Sequence, residues 1–252
     1  MLYFQDFGTL LYQFGDEEDT TVFQDISRYA DVIDQVKDDI SFLNYHTIQE
    51  GFRPDQVSLQ LYNSPNYYWT FYLLNDDIRL QGWPLPNGEL LEYIKKNYPN
   101  TTITVREPFA TKFKVGQTVT ASGSGASGVI LRRNLNLGQI VIEGDKSFAS
   151  SGELLQSTNS SGVVETVTSV SSSKEYLAAR HYIDSSGAIV DLSVDSANGA
   201  NPGHLLPPGA LLTERTNEET EINVNRSLRT IKVIKPSLMP TLVSSYKRSI
   251  RA

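Results

Sequence analysis

Apolar residues recur at intervals of three and four positions over residues 22–43, which is the period of a helix with one buried face. Val22, Ile26, Ala30, Ile33, Val36 and Ile40 carry this period. Thr21 and Gln24 fit a capping box at its start. The pattern predicts a long amphipathic helix near the N-terminus.

Residues 44–100 predict a strand–helix–helix unit with one added helix. An extended segment ends at Gly51, and the patterns that follow favour helices at 54–62, 64–74 and 89–98. Pro54 and Pro65 suit the first turns of the first two helices. Asn75 to Asp77 are expected to end the second helix.

The pattern changes after residue 100. Short Val, Ile and Thr runs alternate with Gly and Ser over 101–157, which predicts a small all-β, barrel-like module. Ten of the seventeen residues in 157–173 are Ser or Thr, so this stretch is either a linker or an exposed hairpin. Residues 176–194 favour two strands joined by a turn at 184–187, and 228–234 favours a further strand before a final helix.

The predicted fold class is therefore α+β, in five parts. These are an apolar arm and long N-terminal helix (1–43), a helical domain (44–100), an inserted β module (101–157), a Ser/Gly/Pro-rich linker with a hairpin (158–212), and a C-terminal strand and basic helix (213–252).

Composition restricts the classes of function that the chain can have. Hydrophobic residues make up 39% and charged residues 20% of the 252 positions, which favours folded domains. The net charge of -7 argues against nucleic acid as a partner, and the lack of Cys fits a reducing compartment. The first basic residue is Arg28 and the most apolar run, 67–74, is short, so neither a secretory signal nor a membrane span is expected.

No set of residues predicts catalysis. His46, His181 and His204 have no second ligand at metal-binding spacing. The adjacent carboxylates at 38–39 and 76–77 are neighbours in sequence, whereas acid–base pairs need two carboxylates that face one gap. We therefore expect a protein that is not an enzyme, with no metal and no cofactor.

Apolar and aromatic residues predict contact surfaces instead. Leu2, Tyr3, Phe4 and Phe7 must be buried either on their own domain or on a neighbouring subunit. In the aromatic helix, the spacing of Trp69 and Tyr72 places both on one face, which we assign to the core. Tyr67 and Phe71 share another face, which we assign to a partner.

The C-terminal region is basic. Seven basic residues and no acidic residue follow position 225. They form either a solvated face or a surface that docks onto an acidic partner. The candidate partner-binding residues here are Arg229, Lys232, Lys235, Lys247 and Arg248.

Residues 45–59 (YHTIQEGFRPDQVSL) resemble the start of a LysM module, with a strand, a Gly-containing turn and a helix. The resemblance implies a LysM-like fold and, as an alternative function, binding of peptidoglycan or chitin. Phe52 stands where the family usually has Asp after the Gly, at the turn that shapes the sugar groove. A cell-wall hydrolase is a third hypothesis, for which no carboxylate pair is found.

A second resemblance covers about 20–100 and 213–250. Residues 53–55 (RPD), 61–76 (LYNSPNYYWTFYLLND) and 225–236 (NRSLRTIKVIKP) look like the baseplate wedge protein 53 family of T-even-type contractile-tailed phages. The resemblance implies a LysM-like structural subunit that bridges neighbouring wedges as a sixfold baseplate closes. Its partners would be other wedge and hub-proximal tail proteins, without nucleic acid or membrane. Its location would be the virion tail, after assembly in the host cytoplasm.

Overall fold

The fold is mixed α and β, with several small sheets. A computed structural model describes residues 9–13, 15, 19–24, 37, 39 and 41–251. The chain divides into two compact units: unit 1 contains Met1–Pro86 and Asn225–Ala252, and unit 2 contains Asn87–Val224.

The strands of the described residues are β1 (Thr9–Gln13), β2 (Thr20–Gln24), β3 (Leu43–Thr47), β4 (Thr101–Val105), β5 (Thr118–Ala121), β6 (Ser127–Asn134), β7 (Gln139–Ile142), β8 (Leu154–Thr158), β9 (Val164–Lys174), β10 (Ala179–Ile183), β11 (Ile189–Val190), β12 (Thr213–Thr216) and β13 (Thr230–Ile234). The helices are α1 (Pro54–Tyr62), α2 (Trp69–Leu74), α3 (Asp76–Gln81), α4 (Asn87–Asn97), α5 (Asn217–Ser227) and α6 (Met239–Arg251), with short 3-10 helices at Pro65–Tyr67, Glu175–Leu177 and Pro236–Leu238.

Unit 1 is built on β3 and β13, which pair antiparallel although they lie far apart in sequence. Helix α1 has the predicted bounds: Pro54 occupies its first turn and Asn63 ends it in the left-handed conformation, with φ 54°. The Tyr62 hydroxyl donates to the Ile234 carbonyl at 3.0 Å and so joins α1 to β13. The core of unit 1 contains Leu43, Trp69, Leu74, Ile234, Met239, Leu242 and Val243.

The helix predicted over 64–74 is interrupted. Ser64 caps a 3-10 turn by accepting the Asn66 N–H at 3.3 Å, and α2 begins only at Trp69. The Tyr67 N–H donates to the Ser58 hydroxyl and its carbonyl accepts from the Thr70 hydroxyl, at 3.1 and 2.7 Å. The backbone N–H and carbonyl of Tyr67 are thus bonded by side chains and not by the backbone groups of a continuous helix. The predicted end of this helix is confirmed, since α2 ends at Leu74 with Asn75 as its cap. The prediction missed that Asp76 begins a further helix, α3, where a carboxylate is favoured by the helix dipole.

The helix predicted over 22–43 does not begin as expected. Residues 20–24 form β2, which pairs antiparallel with β1. The strand partner is a non-local feature, and a helical period in the sequence cannot reveal it. Residues 25–36, which carry most of the predicted helix, lie outside the described residues.

Unit 2 contains a closed six-stranded barrel with the order β4-β7-β6-β5-β8-β9. The all-β module is confirmed, but its predicted end at residue 157 is wrong. The Ser/Thr-rich stretch forms the β8–β9 hairpin, and β9 closes the barrel by pairing with β4. The interior is filled mainly by Ile103, Val105, Phe109, Phe113, Val119, Ala121, Ile130, Ile140, Ile142, Phe148, Leu155 and Val167.

A three-stranded sheet follows the barrel, in the order β11-β10-β12. The predicted turn at 184–187 is confirmed: Asp184 accepts the Gly187 N–H at 3.0 Å through its carbonyl. Helix α5 was missed in the polar segment after Thr213. Thr216 and Glu219 cap it reciprocally, at 3.1 and 3.4 Å, and this Thr-x-x-Glu spacing is the sequence signal that identifies the helix start.

Glu165 is a buried carboxylate of the barrel. It accepts the Phe113 N–H at 2.8 Å and the Asn159 side-chain amide at 3.1 Å. The hydrogen bond from Phe113 is the main reason that the pKa of Glu165 is lower than its ordinary value. Because the folded pKa lies below the unfolded pKa, this carboxylate stabilises the barrel above the unfolded pKa, and the contribution is lost as pH falls through the folded pKa.

Glu165→Gln is therefore expected to destabilise the protein at neutral pH and to have a smaller effect in acid. We expect the difference in free energy of unfolding between wild type and variant to shrink between about pH 6 and pH 3. Urea unfolding across this range measures it, with the exposed barrel residue Glu143 changed to Gln as the control. A difference that stays constant with pH would contradict this role of Glu165.

Candidate functional site

The β1–β2 hairpin exposes apolar side chains on both faces. Leu11 pairs with Val22 across the strands, and these side chains are 66% and 62% exposed. Alternation along a strand places Tyr12 and Phe23 on the opposite face, where they are 51% and 42% exposed. In the part of the chain that the structure describes, this sheet has two strands. A hairpin of that size has marginal stability alone, and exposed apolar patches mark contact sites.

The other predicted contact residues of the arm, Leu2, Tyr3, Phe4 and Phe7, lie outside the described residues. The hairpin that follows them in sequence is therefore the part of the arm on which a contact surface can be defined. Sequence analysis missed this hairpin, because Val22 also fits the helical period.

The prediction that Phe71 contacts a partner is wrong. Phe71 is fully buried, with its ring centroid 6.1 Å from the Tyr62 ring and 6.0 Å from the Trp83 ring. Trp83 lies outside the predicted helix and covers the face that was assigned to a partner. The burial of Trp69 in the core is confirmed, whereas Tyr67 is half-buried and packs edge-on against Tyr62 at 5.9 Å.

The basic residues of the C-terminal region divide into two groups. Arg229 lies 3.7 Å from the Glu50 carboxylate, and the ammonium groups of Lys232 and Lys235 donate to the carbonyls of Lys37 and Ser41. All three are half-buried, so they hold β13 against their own chain and are not the open docking residues that were predicted.

The remaining two basic residues lie on α6. Arg248 is exposed. The side chain of Lys247 lies outside the described residues. Arg248 is therefore the predicted basic contact residue that the structure places at the surface.

The side chain of Asn75 bonds the backbone of β13 as a neighbouring strand would. Its side-chain amide donates to the Lys232 carbonyl at 2.9 Å, and its side-chain oxygen accepts the Lys232 N–H at 2.8 Å. The same amide donates to the Phe71 carbonyl at 2.8 Å. One side chain thus joins α2 to the outer edge of β13.

Asn75→Ala is expected to lower the free energy of unfolding of unit 1 by about 2 kcal/mol, because it leaves the backbone N–H and carbonyl of Lys232 without their partner. Chemical denaturation checks this value. Asn66, an exposed residue of the same unit, provides the control when it is changed to Ala. Equal denaturation midpoints for the two variants would show that the Asn75 contacts contribute little.

A cleft of about 410 Å³ lies beside Asn75 and includes Asp76, Asp77 and Lys232. Asp76 accepts from Lys37 at 2.5 Å and lies 2.7 Å from Arg79. The hydrogen bond from Lys37 is the main cause that lowers the pKa of Asp76. A carboxylate held ionised by two cations is suited to joining segments of the chain and not to donating a proton in acid catalysis.

In the turn that resembles a LysM module, Trp83 covers the backbone on one side. Gly51 has φ 78°, and the carbonyl of Phe52 accepts the Trp83 indole N–H at 2.7 Å. A shallow cleft of about 320 Å³ next to this turn is lined by Arg53, Pro54, Asp55 and Tyr68. The two charged residues of this cleft form an ion pair with each other: the Arg53 guanidinium lies 2.9 Å from the Asp55 carboxylate.

Within the described residues, no three His, Cys, Asp or Glu side chains come together as a metal site. None of the helices among those residues has the length and apolar character needed to cross a membrane.

Comparison of the chain with protein-family models and with curated protein sequences gives no match.

Proposed function

We propose that the chain is a structural subunit, without enzymatic activity, of a contractile phage-tail baseplate wedge. It docks onto neighbouring wedge proteins through the β1–β2 hairpin. The observation that carries this proposal is the exposure of Leu11, Tyr12, Val22 and Phe23 on the two faces of a two-stranded sheet. Such a hairpin gains most stability when a partner covers both faces or adds a strand to its edge.

The arrangement of unit 1 supports the LysM-like part of the proposal. A LysM module has two strands that flank two helices in sequence, and here β3 and β13 pair antiparallel with α1 and α2 between them in the chain. Trp69 of α2 shares one core with Leu43 of β3 and Ile234 of β13. Trp69 and Ile234 lie in residues 61–76 and 225–236, two of the segments on which the resemblance to the wedge family rests.

The barrel has the position of an insertion in that module. The chain leaves unit 1 after Pro86 and returns at Asn225. The Asn225 side chain bonds both backbone groups of Leu85, at 2.7 and 3.0 Å, so the two crossing points of unit 1 are adjacent. An insertion between adjacent points leaves the parent module able to close, which favours an added contact surface over a change of the parent fold.

The proposed partners are other wedge and hub-proximal tail proteins in a sixfold assembly, and the proposed location is the virion tail after assembly in the host cytoplasm. Arg248 offers a second contact, for an acidic partner surface. Glycan binding through the LysM-like turn has less support, because the Phe52 carbonyl is already bound by Trp83.

A double variant, Leu11→Ser with Val22→Ser, tests the proposal. The chain is co-expressed with candidate baseplate-wedge proteins, and association is measured by size-exclusion co-elution. We expect a loss of about a thousandfold in affinity, since two buried contact residues contribute about 2 kcal/mol each. The fold should be retained, because both side chains are exposed in the free chain.

Val163→Ser with Val164→Ser is the matched control. These valines are 57% and 58% exposed and lie at the tip of the β8–β9 hairpin of the barrel. Their replacement should leave co-elution unchanged. Equal association of both double variants with the wedge proteins, or no association of the wild-type chain, would overturn the proposal.

A further inference from the structure

A polar cleft of about 480 Å³ lies on the outer wall of the barrel, entirely within unit 2. The ends of β6 and β10 contribute arginines, the β6–β7 turn contributes amides, and the residue after α4 contributes a tyrosine. The polar lining residues are Tyr98, Thr102, Arg132, Arg133, Asn134, Asn136, Gln139, Glu175, Arg180 and Asn217. A cleft of this volume suits a ligand about the size of a disaccharide.

A buried carboxylate fixes the first arginine. Glu175 is 3% exposed, and its carboxylate accepts from the Asn100 backbone and side chain at 3.2 and 2.7 Å and from Arg132 at 2.6 Å. The Arg132 side chain itself is 62% exposed. Its guanidinium is thus held at one corner while most of its N–H groups face solvent.

A second carboxylate fixes the other arginine in the same way. Arg180 donates to Glu221 at 2.9 Å and to the Tyr98 hydroxyl at 3.0 Å, and Tyr98 donates to Glu221 at 2.8 Å. The remaining N–H groups of Arg132 and Arg180 make no hydrogen bond within the described part of the chain. Pre-oriented guanidinium groups bind oxyanions strongly, because little side-chain entropy is lost on binding.

The rest of the lining favours hydroxyl groups. The side-chain amides of Asn134 and Asn136 form no hydrogen bond with other described residues, and an amide can both donate to and accept from a sugar hydroxyl. The barrel is closed here, so no strand edge is open to pair with a peptide. The apolar lining is limited to Leu135, Val141 and Ala179, which offers little to anchor apolar side chains of a peptide.

We propose that this cleft binds an acidic saccharide, with Arg132 and Arg180 holding its anionic group and the amides of Asn134 and Asn136 bonding its hydroxyls. Three arginines and one glutamate line the cleft, in a chain with a net charge of -7. The site lies apart from the docking hairpin in sequence and goes beyond the proposed assembly function. It would give the barrel a recognition role of its own.

Titration of the full chain with digalacturonate, followed by calorimetry and by amide NMR shifts, tests the proposal. We expect saturable binding below about 1 mM, with shifts at the four proposed contact residues. A neutral disaccharide of the same linkage should bind at least about tenfold more weakly, since it lacks the charge that the guanidinium groups recognise. Inorganic phosphate should also bind more weakly, because it lacks the sugar hydroxyl groups that the amides are proposed to bond.

Two variants localise the binding. Arg180→Gln should weaken it by about tenfold, and Asn136→Ala, which removes an exposed side chain without hydrogen bonds to described residues, should weaken it by about threefold. Arg215→Gln is the matched charge control outside the cleft and should have no effect. Absence of saturable binding, equal binding of the neutral disaccharide or of phosphate, or unchanged affinity in both cleft variants would overturn the proposal.

Discussion

Gly138→Ala is expected to destabilise unit 2 by about 3–5 kcal/mol, which combines backbone strain with overpacking. Gly138 has φ 66°, in the region that L side chains rarely adopt. A Cβ atom there would lie 2.1 Å from the Val105 carbonyl oxygen and 2.8 Å from a Leu205 methyl carbon. The Val105 N–H also donates to the Gly138 carbonyl at 2.7 Å, so the backbone cannot move away without losing this bond.

Gly144→Ala separates the two causes. Gly144 has φ 74°, but a Cβ atom there would meet nothing within 4 Å. This variant should lose only about 1 kcal/mol, from the strained backbone alone. Thermal unfolding of both variants measures the difference, and equal losses would show that the close approach of Gly138 to Val105 does not matter for the barrel.

Phe71→Ala is expected to lower the free energy of unfolding of unit 1 by about 3–5 kcal/mol, because it opens a cavity among aromatic rings that are already packed. Phe71 is 0% exposed, between the rings of Tyr62 and Trp83. Amide hydrogen exchange in β3 and β13 reports on unit 1 directly and should become faster.

Leu80→Ala is the control for Phe71→Ala. Leu80 lies on α3 of the same unit and is 78% exposed, so the change should stay within about 0.5 kcal/mol. If Phe71→Ala lowers the free energy of unfolding by less than about 1 kcal/mol, Phe71 contributes little to the core and its proposed burial is contradicted.

Local signals in the sequence predict the elements that local chemistry determines. Pro54 starts α1 and Asn63 ends it, as the pattern indicates. The alternation of β-branched residues with Gly predicts an all-β module. The Thr216 and Glu219 spacing also marks the start of α5.

Non-local pairing accounts for what the sequence did not predict. Val22 fits a helical period, yet its strand partner is Leu11. The sequence allows the Ser/Thr-rich stretch to be either a linker or a hairpin. Pairing of β9 with β4, about seventy residues earlier, incorporates it in the barrel.

The same limit applies to the candidate contact residues. The spacing of Tyr67 and Phe71 places both on one helix face, but Trp83, which covers Phe71, comes from a later segment. The arginines of the barrel cleft come from β6 and β10, and their grouping depends on the folded barrel. Leu11, in contrast, lies in the apolar N-terminal arm that the sequence marks as a contact segment, whereas the sequence assigns Val22 to a helix.

Hydrogen–deuterium exchange of residues 9–13 and 20–24 tests the central claim most directly. It is measured in the free chain and in the presence of candidate baseplate-wedge proteins co-expressed with it. If the hairpin docks onto a wedge partner, exchange at these residues should slow by about a hundredfold in the complex, because the partner protects the strand amides. Exchange that is equally fast in the free chain and in the complex would contradict the account.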